Sequence, residues 1–459
     1  MQELSPLKLN LLHLSDIHFS RGESDVYDPD SDLRNELERD VERLWRAKLE
    51  RIDGILVTGD IAFAGHKDEF DIASAWLEKL CDFLGCARDD VWTVPGNHDV
   101  DRRVIDDSET LRTYHEKLRG TIDIDGQIRA YMRDTIAQRV LFEAITHYNN
   151  FAARFDCDFK AARPYWEQDK ILNDGSTLRL RGLNTTLISS RSDDTAANKL
   201  ILGSIQSTPR TIDGVTYLTL CHHPPQWLRD EDQVNQNLDT RVRVHLFGHK
   251  HKQNLQLINN SVRIIAGAVH PNRREPNWQP RYNLISLSVS GVGDDRKLDI
   301  VVYLRVWSND ENVFKADYDV NGSEERSYAL KLETWYPPTQ NSQAISAERP
   351  TGSPDLSINV EQDTTEAISP QTQESKLMNK ARRLAYRFYS LPYDARIDVV
   401  QRLHLIREDD EGLQGNELFN RLLHRAKEED KLSQLWDVVQ EAHGDRLYSH
   451  NPFREENAE

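Results

Sequence analysis

No apolar run in this chain of 459 residues approaches the roughly 20 residues that cross a bilayer. Met1 to Lys8 shows no basic region leading into an apolar one, so no secretory leader is expected. Cysteine is scarce: Cys81, Cys86, Cys157 and Cys221 are all there are, without zinc-knuckle spacing. Cys81 and Cys86 fall on a helix and the turn after it, where two reduced core thiols are expected rather than a bridge. These absences predict a cytoplasmic protein with no membrane association. Positive charge is also in deficit, with 58 Lys and Arg against 76 Asp and Glu and a net charge of −18. That balance disfavours broad capture of duplex nucleic acid, whose binding rests on neutralising phosphates. It leaves room for a small or single-stranded phosphate substrate, because bound divalent cations change the field locally.

What is present suits a soluble protein of two or three domains. Hydrophobic residues make up 38% and charged residues 29%, and the length permits a large core. The strand-like run Lys8 to Leu14 ends in Asp16-Ile17-His18, and strand alternation would put those two ligand-type side chains on one side. A polar loop, Ser20 to Asp30, precedes a helix over about 32–50 with Leu33, Leu37, Val41, Leu44 and Trp45 on one stripe. The apolar run Gly54 to Thr58 ends in Gly59-Asp60. A helix over about 67–84 leads to a third strand, Asp90 to Val94, ending in Pro95-Gly96-Asn97-His98-Asp99. Strand, helix, strand, helix, strand predicts a parallel sheet whose polar clusters lie at the carboxyl ends, where such sheets bind ligands.

Residues 106–160 read as a helical insertion with Leu141, Phe142, Ile145, Tyr148, Phe151 and Phe155 as its buried stripe. Strand-like runs return at 177–189, 200–206, 215–220, 242–247 and 262–267, and runs at 282–290 and 297–307 are expected to complete a second sheet. Cys221-His222-His223-Pro224-Pro225 caps one strand and Gly248-His249-Lys250-His251 the next. The domain reading is therefore 1–336 for an α/β domain, 337–375 for a disordered linker rich in Ser, Thr, Pro and Gln, 376–445 for a helical bundle and 446–459 for a tail. The bundle is slightly more acidic than basic, so it is no nucleic-acid arm. Leu384, Phe388, Leu391, Val399, Leu403, Leu418, Leu422, Leu435, Trp436 and Val439 form its expected core.

The strand-end residues make a dinuclear set. Asp60, after a glycine, suits a carboxylate shared by two cations; Asp16, His18 and His251 would complete one shell, and Asn97, His222 and His249 the other. Asn97 adds a ligand without adding charge, which leaves the pair net positive for a phosphate. Two cations about 3.5–4 Å apart hold both substrate oxygens and a bridging hydroxide that attacks phosphorus in line. Such ligands accept manganese, placed first, and also iron, zinc or nickel.

Asp-x-His, Gly-Asp, Gly-Asn-His-Asp, His-x-Pro and Gly-His-x-His, in that order over about residues 8–307, resemble the calcineurin-like metallophosphoesterase superfamily. The resemblance implies an αββα fold, two β-sheets sandwiched between helices. It also implies that His98 contacts the phosphate and assists the leaving group, that Asp99 orients its imidazole, and that His222 rather than His223 is the ligand. The role of His223 stays open. The Gly-Asp-x-x-x-x-Gly run with His-His-Pro-Pro is similar to bacterial cyclic-nucleotide phosphodiesterases, although the insertion and the linked bundle are not standard for those enzymes. More loosely, Tyr386 to Leu391, Ile397 to Leu405 and Leu418 to His424 resemble the helical effector-associated adaptor domains of bacterial conflict and defence proteins, which implies a protein partner; a generic dimerisation bundle is the other reading.

The expectation is a phosphodiesterase acting on a nucleotide-type substrate, cyclic nucleotide or single-stranded nucleic acid, with a role in antiviral defence. A phosphomonoesterase, including a protein phosphatase targeted by the bundle, is the alternative. A non-catalytic scaffold would be marked by a lost ligand, and none is lost. Other tempting residues read as structural: His13 as a core histidine, His66 and His270 as exposed loop residues, Arg102 and Arg103 as salt-bridge partners, Phe63 and Trp76 as packing.

Overall fold

The structure, a computed structural model, describes residues 8–20, 30–160, 163–191, 193, 199–271 and 278–337, and, toward the C-terminus, 384, 388, 391, 393–407, 410, 415–442 and 453. The Ser20–Asp30 loop, the 337–375 linker and the 446–459 tail lie outside the described residues, save for Ser20, Asp30, Pro337 and Phe453. The chain divides into two compact units, Met1–Ile345 and Ser346–Glu459.

In the first unit the strands are β1 (Leu9–Leu14), β2 (Gly54–Val57), β3 (Val91–Thr93), β4 (Tyr165–Ile171), β5 (Thr177–Leu183), β6 (Val215–Cys221) and β7 (Val242–Phe247). They continue as β8 (Asn254–Ile258), β9 (Ser261–Ile265), β10 (Arg281–Ser290), β11 (Lys297–Ser308), β12 (Val313–Ala316) and β13 (Glu325–Lys331). One sheet runs β12-β11-β10-β1-β2-β3, with β13 also on β11; the other runs β4-β5-β6-β7-β9-β8. β1, β2 and β3 are parallel to one another, as are β5, β6, β7 and β9. The central strands are nearly continuous apolar runs because both faces of each sheet are covered. The helices Ser31–Lys48 and Lys67–Leu84 connect β1, β2 and β3. Leu33, Leu37, Val41 and Leu44 of the first are buried. Its buried Asp40 accepts from Arg305 Nε and Nη2, both at 2.7 Å, and from the Tyr282 hydroxyl at 2.6 Å. This pins the helix to β10 and β11.

Some sequence expectations fail for physical reasons. The 282–290 and 297–307 runs do not complete a second sheet. β10 lies antiparallel to β1, from Leu9↔Leu287 to His13↔Asn283, and so belongs to the first. β1 is buried from Asn10 to Leu14 and needs a partner on each edge, but nothing in an apolar strand names its neighbour. The 200–206 run is no strand: Leu200 makes a lone bridge to Leu228 and a helical turn follows over Ser204–Ser207. β5 stops at Leu183 because Gln206 replaces a ladder partner there, with its Oε1 accepting from Asn184 N at 2.7 Å and its Nε2 donating to Asn184 O at 3.0 Å. Four strands escaped the pattern, β4, β8, β12 and β13. They are short or polar edge elements, such as Tyr-Trp-Glu-Gln-Asp-Lys-Ile in β4, and exposed edges carry charge that masks the period of two.

The insertion comprises helices at Arg102–Asp107, Glu109–Gly120, Ile124–Arg133, Thr135–Glu143 and Thr146–Ala152. Asp101, Ser108, Asp123 and Asp134 cap four of them with side-chain oxygens on backbone N–H groups. Leu141, Ile145, Tyr148, Phe151 and Phe155 are buried, Phe142 partly so, and all join the core of the sheets.

The C-terminal unit has helices at Tyr393–Arg402, Gly415–Glu428 and Leu432–Ala442. Every residue expected in its core is there, joined by Val400, Leu405, Phe419 and Ala426. Of the helix expected over 376–391, Leu384 and Phe388 are helical and most of the rest lies outside the described residues.

His245 on β7 is fully buried, 3.1 Å from Thr219 Oγ1. Burial, then the charges of Arg263 and Arg243, push its pKa from 6.5 down to about 3. The unfolded chain therefore binds the extra proton first, so stability from neutral His245 is complete above the unfolded pKa and is lost as pH falls toward the folded one. His245→Gln should accordingly show a smaller fall in urea midpoint between about pH 7 and about pH 4.5 than the wild type. An equal fall would show that His245 does not set acid sensitivity.

Candidate metal centre

The centre lies beyond the carboxyl ends of β1, β2 and β3 in one sheet and β6 and β7 in the other. Strand alternation is not what brings Asp16 and His18 together, since both lie past the end of β1. The backbone there is left-handed, with φ of 53° at Asp16, 55° at His18, 51° at Asp60, 69° at His249 and 52° at His251. Non-glycine residues avoid that region at a cost on the order of 1 kcal/mol each, and keep it only where the surroundings impose it. Here hydrogen bonds between the turns impose it. Asp16 N donates to Gly59 O at 3.0 Å, Ile17 N and His18 N donate to Asp60 O at 2.9 and 3.0 Å, and His270 N donates to Asp16 O at 3.1 Å. Gly59 has φ 92°, and a Cβ on it would lie 2.5 Å from His222 Nδ1; a Cβ on Gly96 would lie 2.1 Å from Asp60 Oδ1. The glycines of Gly-Asp and Gly-Asn-His are thus demanded by the close approach of the ligand side chains themselves.

All seven expected ligands converge. Ligand atoms lie within 4.8 Å of one another in the groups Asp16, His18, His251; Asp16, Asp60, His222; His18, Asp60, His98; and His222, His223, His249. Asn97 Oδ1 is 3.1 Å from His249 Nδ1. Asp60 stands in two of these groups, as do Asp16, His18 and His222. Asp16 and Asp60 are 0% and 2% exposed, and two buried carboxylates side by side demand a positive partner.

The donor atoms fit cations. His222 Nδ1–H donates to Thr58 O at 2.7 Å, which leaves Nε2 as the lone-pair nitrogen of the neutral ring. That atom is buried without a hydrogen-bond partner and lies 3.3 Å from Asp60 Oδ2, so two lone pairs face each other unless a cation lies between. Burial alone lowers the His222 pKa, but the Asp60 carboxylate outweighs it and pushes it up to about 9, so that a proton takes the cation's part. His18 Nδ1 is likewise buried and partnerless, its pKa pushed by burial down to about 4, which keeps it a neutral ligand nitrogen. His251 Nε2 lies 3.3 Å from Asp16 Oδ1.

The Asp99 expectation needs correction. Its carboxylate accepts from Ile61 N and Ala62 N at 2.9 and 2.7 Å and from Gly96 N at 2.8 Å. It braces the loops after β2 and β3 and makes no bond to the His98 ring. That ring is oriented by a backbone group instead: Nδ1 donates to Phe63 O at 2.7 Å, while His98 N donates to Asp60 Oδ1 at 2.8 Å. No side-chain motif marks a carbonyl, so the sequence carries no signal for this partner.

His223, left open from sequence, is buried, with Nδ1 2.7 Å from Thr185 Oγ1 and Nε2 3.2 Å from Asn97 Oδ1. His270 is no exposed loop residue; it is 7% exposed and its Nδ1 donates to Ile17 O at 2.7 Å. His66 is part of a helix cap and meets Arg103, which also pairs with Asp101 at 2.7 Å. His13 is a core residue between Thr58 and Asn283. Trp76 packs on Phe19, but Phe63 is 55% exposed beside the centre and is not core packing.

One further buried carboxylate, an amide and four imidazoles around a candidate shared aspartate make a candidate dinuclear centre of the phosphoester-hydrolysing kind. Residues 9–253 match the model of the calcineurin-like phosphoesterase domain, more than half of the chain, and the protein belongs to that family of metal-dependent phosphoester hydrolases. Residues 380–441 match the GTPase-associated adaptor domain. Solved structures that align include Vacuolar Protein Sorting 29 from Cryptosporidium parvum, at 12% identity and TM-score 0.30 over 71% of this chain and 100% of that one. A conserved uncharacterized protein from Streptococcus pneumoniae, a predicted phosphoesterase, aligns at 8% identity and TM-score 0.27 over 70% and 98%. Purple acid phosphatase PPD1 from yellow lupin aligns at 9% and 0.35 over 74% and 58%. Comparison with curated proteins finds no match.

If the centre holds cations, saturating Mn2+ should raise the thermal midpoint of the chelator-treated protein by on the order of 5 °C, and Asp60→Asn should remove most of that rise. An equal rise in both proteins would place the metal elsewhere. Asp99→Ala, which strands three backbone donors, should cost about 2–4 kcal/mol of stability by urea unfolding, whereas His98→Ala should cost less than about 1. Equal costs would return Asp99 to a role limited to His98.

Proposed function

We propose that the protein hydrolyses phosphodiester bonds of a nucleotide-type substrate with two divalent cations, manganese first among them. The observation that carries this reading is the shared, buried Asp60, flanked by a complete ligand set on both sides and by an oriented His98 at its edge. Asp16, His18, Asp60 and His251 would hold one cation, and Asp60, Asn97, His222 and His249 the other. When bound, such cations supply Lewis acidity, charge neutralisation and a more acidic water.

The chain's own groups supply orientation and a proton. Because His98 Nδ1–H is committed to the Phe63 carbonyl, the neutral ring offers only a lone pair at Nε2, and the imidazolium offers a proton there. His98 in that charged form gives its proton to the departing oxygen. The bond from His98 N to Asp60 Oδ1 ties the imidazole to the shared carboxylate, so proton donor and metal shell keep a fixed separation. A diester fits better than a monoester because it carries one negative charge. The second charge of a monoester would gain from a further cationic side chain, and Arg103 is committed to Asp101 and His66. Lys250, held over the Trp227 ring at 5.1 Å, is the feature that favours the second reading, a phosphomonoesterase or protein phosphatase.

The C-terminal unit is read as a protein-docking module that delivers the hydrolase to a cytoplasmic partner in antiviral defence; the adaptor-domain match supports docking. Single-stranded nucleic acid or a cyclic nucleotide is the substrate class consistent with the net charge of −18.

With Mn2+, the full-length protein should cleave bis(p-nitrophenyl) phosphate faster than the mono-ester. His98→Ala should lower kcat by about 10²–10⁴-fold while retaining metal, and Asp60→Ala should lose both metal and activity. A strong preference for the mono-ester would overturn the diester assignment, and full activity in both variants would overturn the centre.

A further inference from the structure

Phe63 stands where the Gly59-Asp60 turn meets the centre and is 55% exposed. Single exposed apolar side chains are ordinary on protein surfaces, but the placement of this one is not. Its N–H donates to Phe19 O at 2.9 Å, and its carbonyl accepts from His98 Nδ1 at 2.7 Å. The backbone that aims His98 is therefore held on both sides of Phe63, which places the root of the phenyl ring beside the His98 imidazole. Its centroid lies 5.7 Å from that of His98 and 6.4 Å from that of His18. The other aromatic at the centre is already engaged: Trp227 meets the His249 ring at 4.9 Å and has Lys250 Nζ over it at 5.1 Å.

We propose that Phe63 is the stacking platform of a nucleobase subsite on the leaving-group side of the centre. This rests on the phosphoesterase reading above. If His98 gives its proton to the departing oxygen, the body of the leaving group must extend past His98, and Phe63 is the ring beside it. A planar base gains from stacking on a fixed aromatic face, and every base has such a face. An aliphatic alcohol or a bare sugar gains little there. Phe63 has no polar atom with which to read base edges, so the subsite selects for a base without selecting among bases.

The test uses the full-length Mn2+ protein and isothermal titration with AMP, UMP and ribose 5-phosphate. AMP should bind about ten-fold more tightly than ribose 5-phosphate, within the range of one base–aromatic stack, and UMP should share most of that gain. Phe63→Ala should abolish the difference between AMP and ribose 5-phosphate; Phe63→Trp should keep or enlarge it. Equal affinities for AMP and ribose 5-phosphate in a wild type that cleaves bis(p-nitrophenyl) phosphate would overturn the subsite alone. An undiminished AMP preference in Phe63→Ala would do the same. A wild type that neither cleaves the diester nor binds any of these phosphates would overturn the underlying reading as well.

Discussion

Two carboxylates that water cannot reach, Asp16 and Asp60, set the terms for everything around them. Burying unpaired negative charge is among the costliest things a fold can do, and each local feature answers it. His222 Nε2 faces Asp60 Oδ2 with room for a proton or a cation between them, His251 approaches Asp16 Oδ1, and His98 N donates to Asp60 Oδ1. The arrangement is poised for cations, and protons take part of their role when the histidines titrate. Cations taken up there would have to displace such protons, so metal binding would be coupled to proton release.

The left-handed turns are the mechanical counterpart of that electrostatic demand. An extended strand would also have put Asp16 and His18 on one face, but both lie past the end of β1 and are gathered by turns instead. The chain turns sharply at Asp16, His18, Asp60, His249 and His251, and the turns after β1 and β2 lock each other through backbone hydrogen bonds. Asp99 serves the same end from the third strand by collecting amides from two loops. Strain concentrated at such a site is held by the sheets behind it, whose central strands are almost wholly buried.

The insertion and the C-terminal unit differ in what they contribute. The insertion packs into the core of the first unit, with Tyr148 bonded to Thr93 of β3, and so is part of the scaffold behind the third ligand loop. The C-terminal unit has a separate core with a buried Arg425–Asp410 pair, and its family match is to an adaptor domain. The candidate metal ligands and the adaptor-domain match thus fall in different units of one chain.

The order of the ligand motifs, Asp16-x-His18, Gly59-Asp60, Gly96-Asn97-His98-Asp99, His222-x-Pro224 and Gly248-His249-Lys250-His251, was legible without coordinates. Ligand chemistry restricts the residue types, and strands ending in polar residues mark themselves by an abrupt change of hydropathy. The stripes of the helices at 31–48 and 67–84 and the core of the C-terminal bundle were legible for the same reason, a period of 3.6 written in Leu, Val and Phe. Tertiary structure alone decided which strands are neighbours, because hydrogen bonds between backbones carry no residue identity and nothing in β10 marks β1 as its partner. It alone decided that a carbonyl of Phe63, not the carboxylate of Asp99, orients His98. It also decided that His270 is buried and Phe63 exposed, since burial depends on what arrives from elsewhere in the chain.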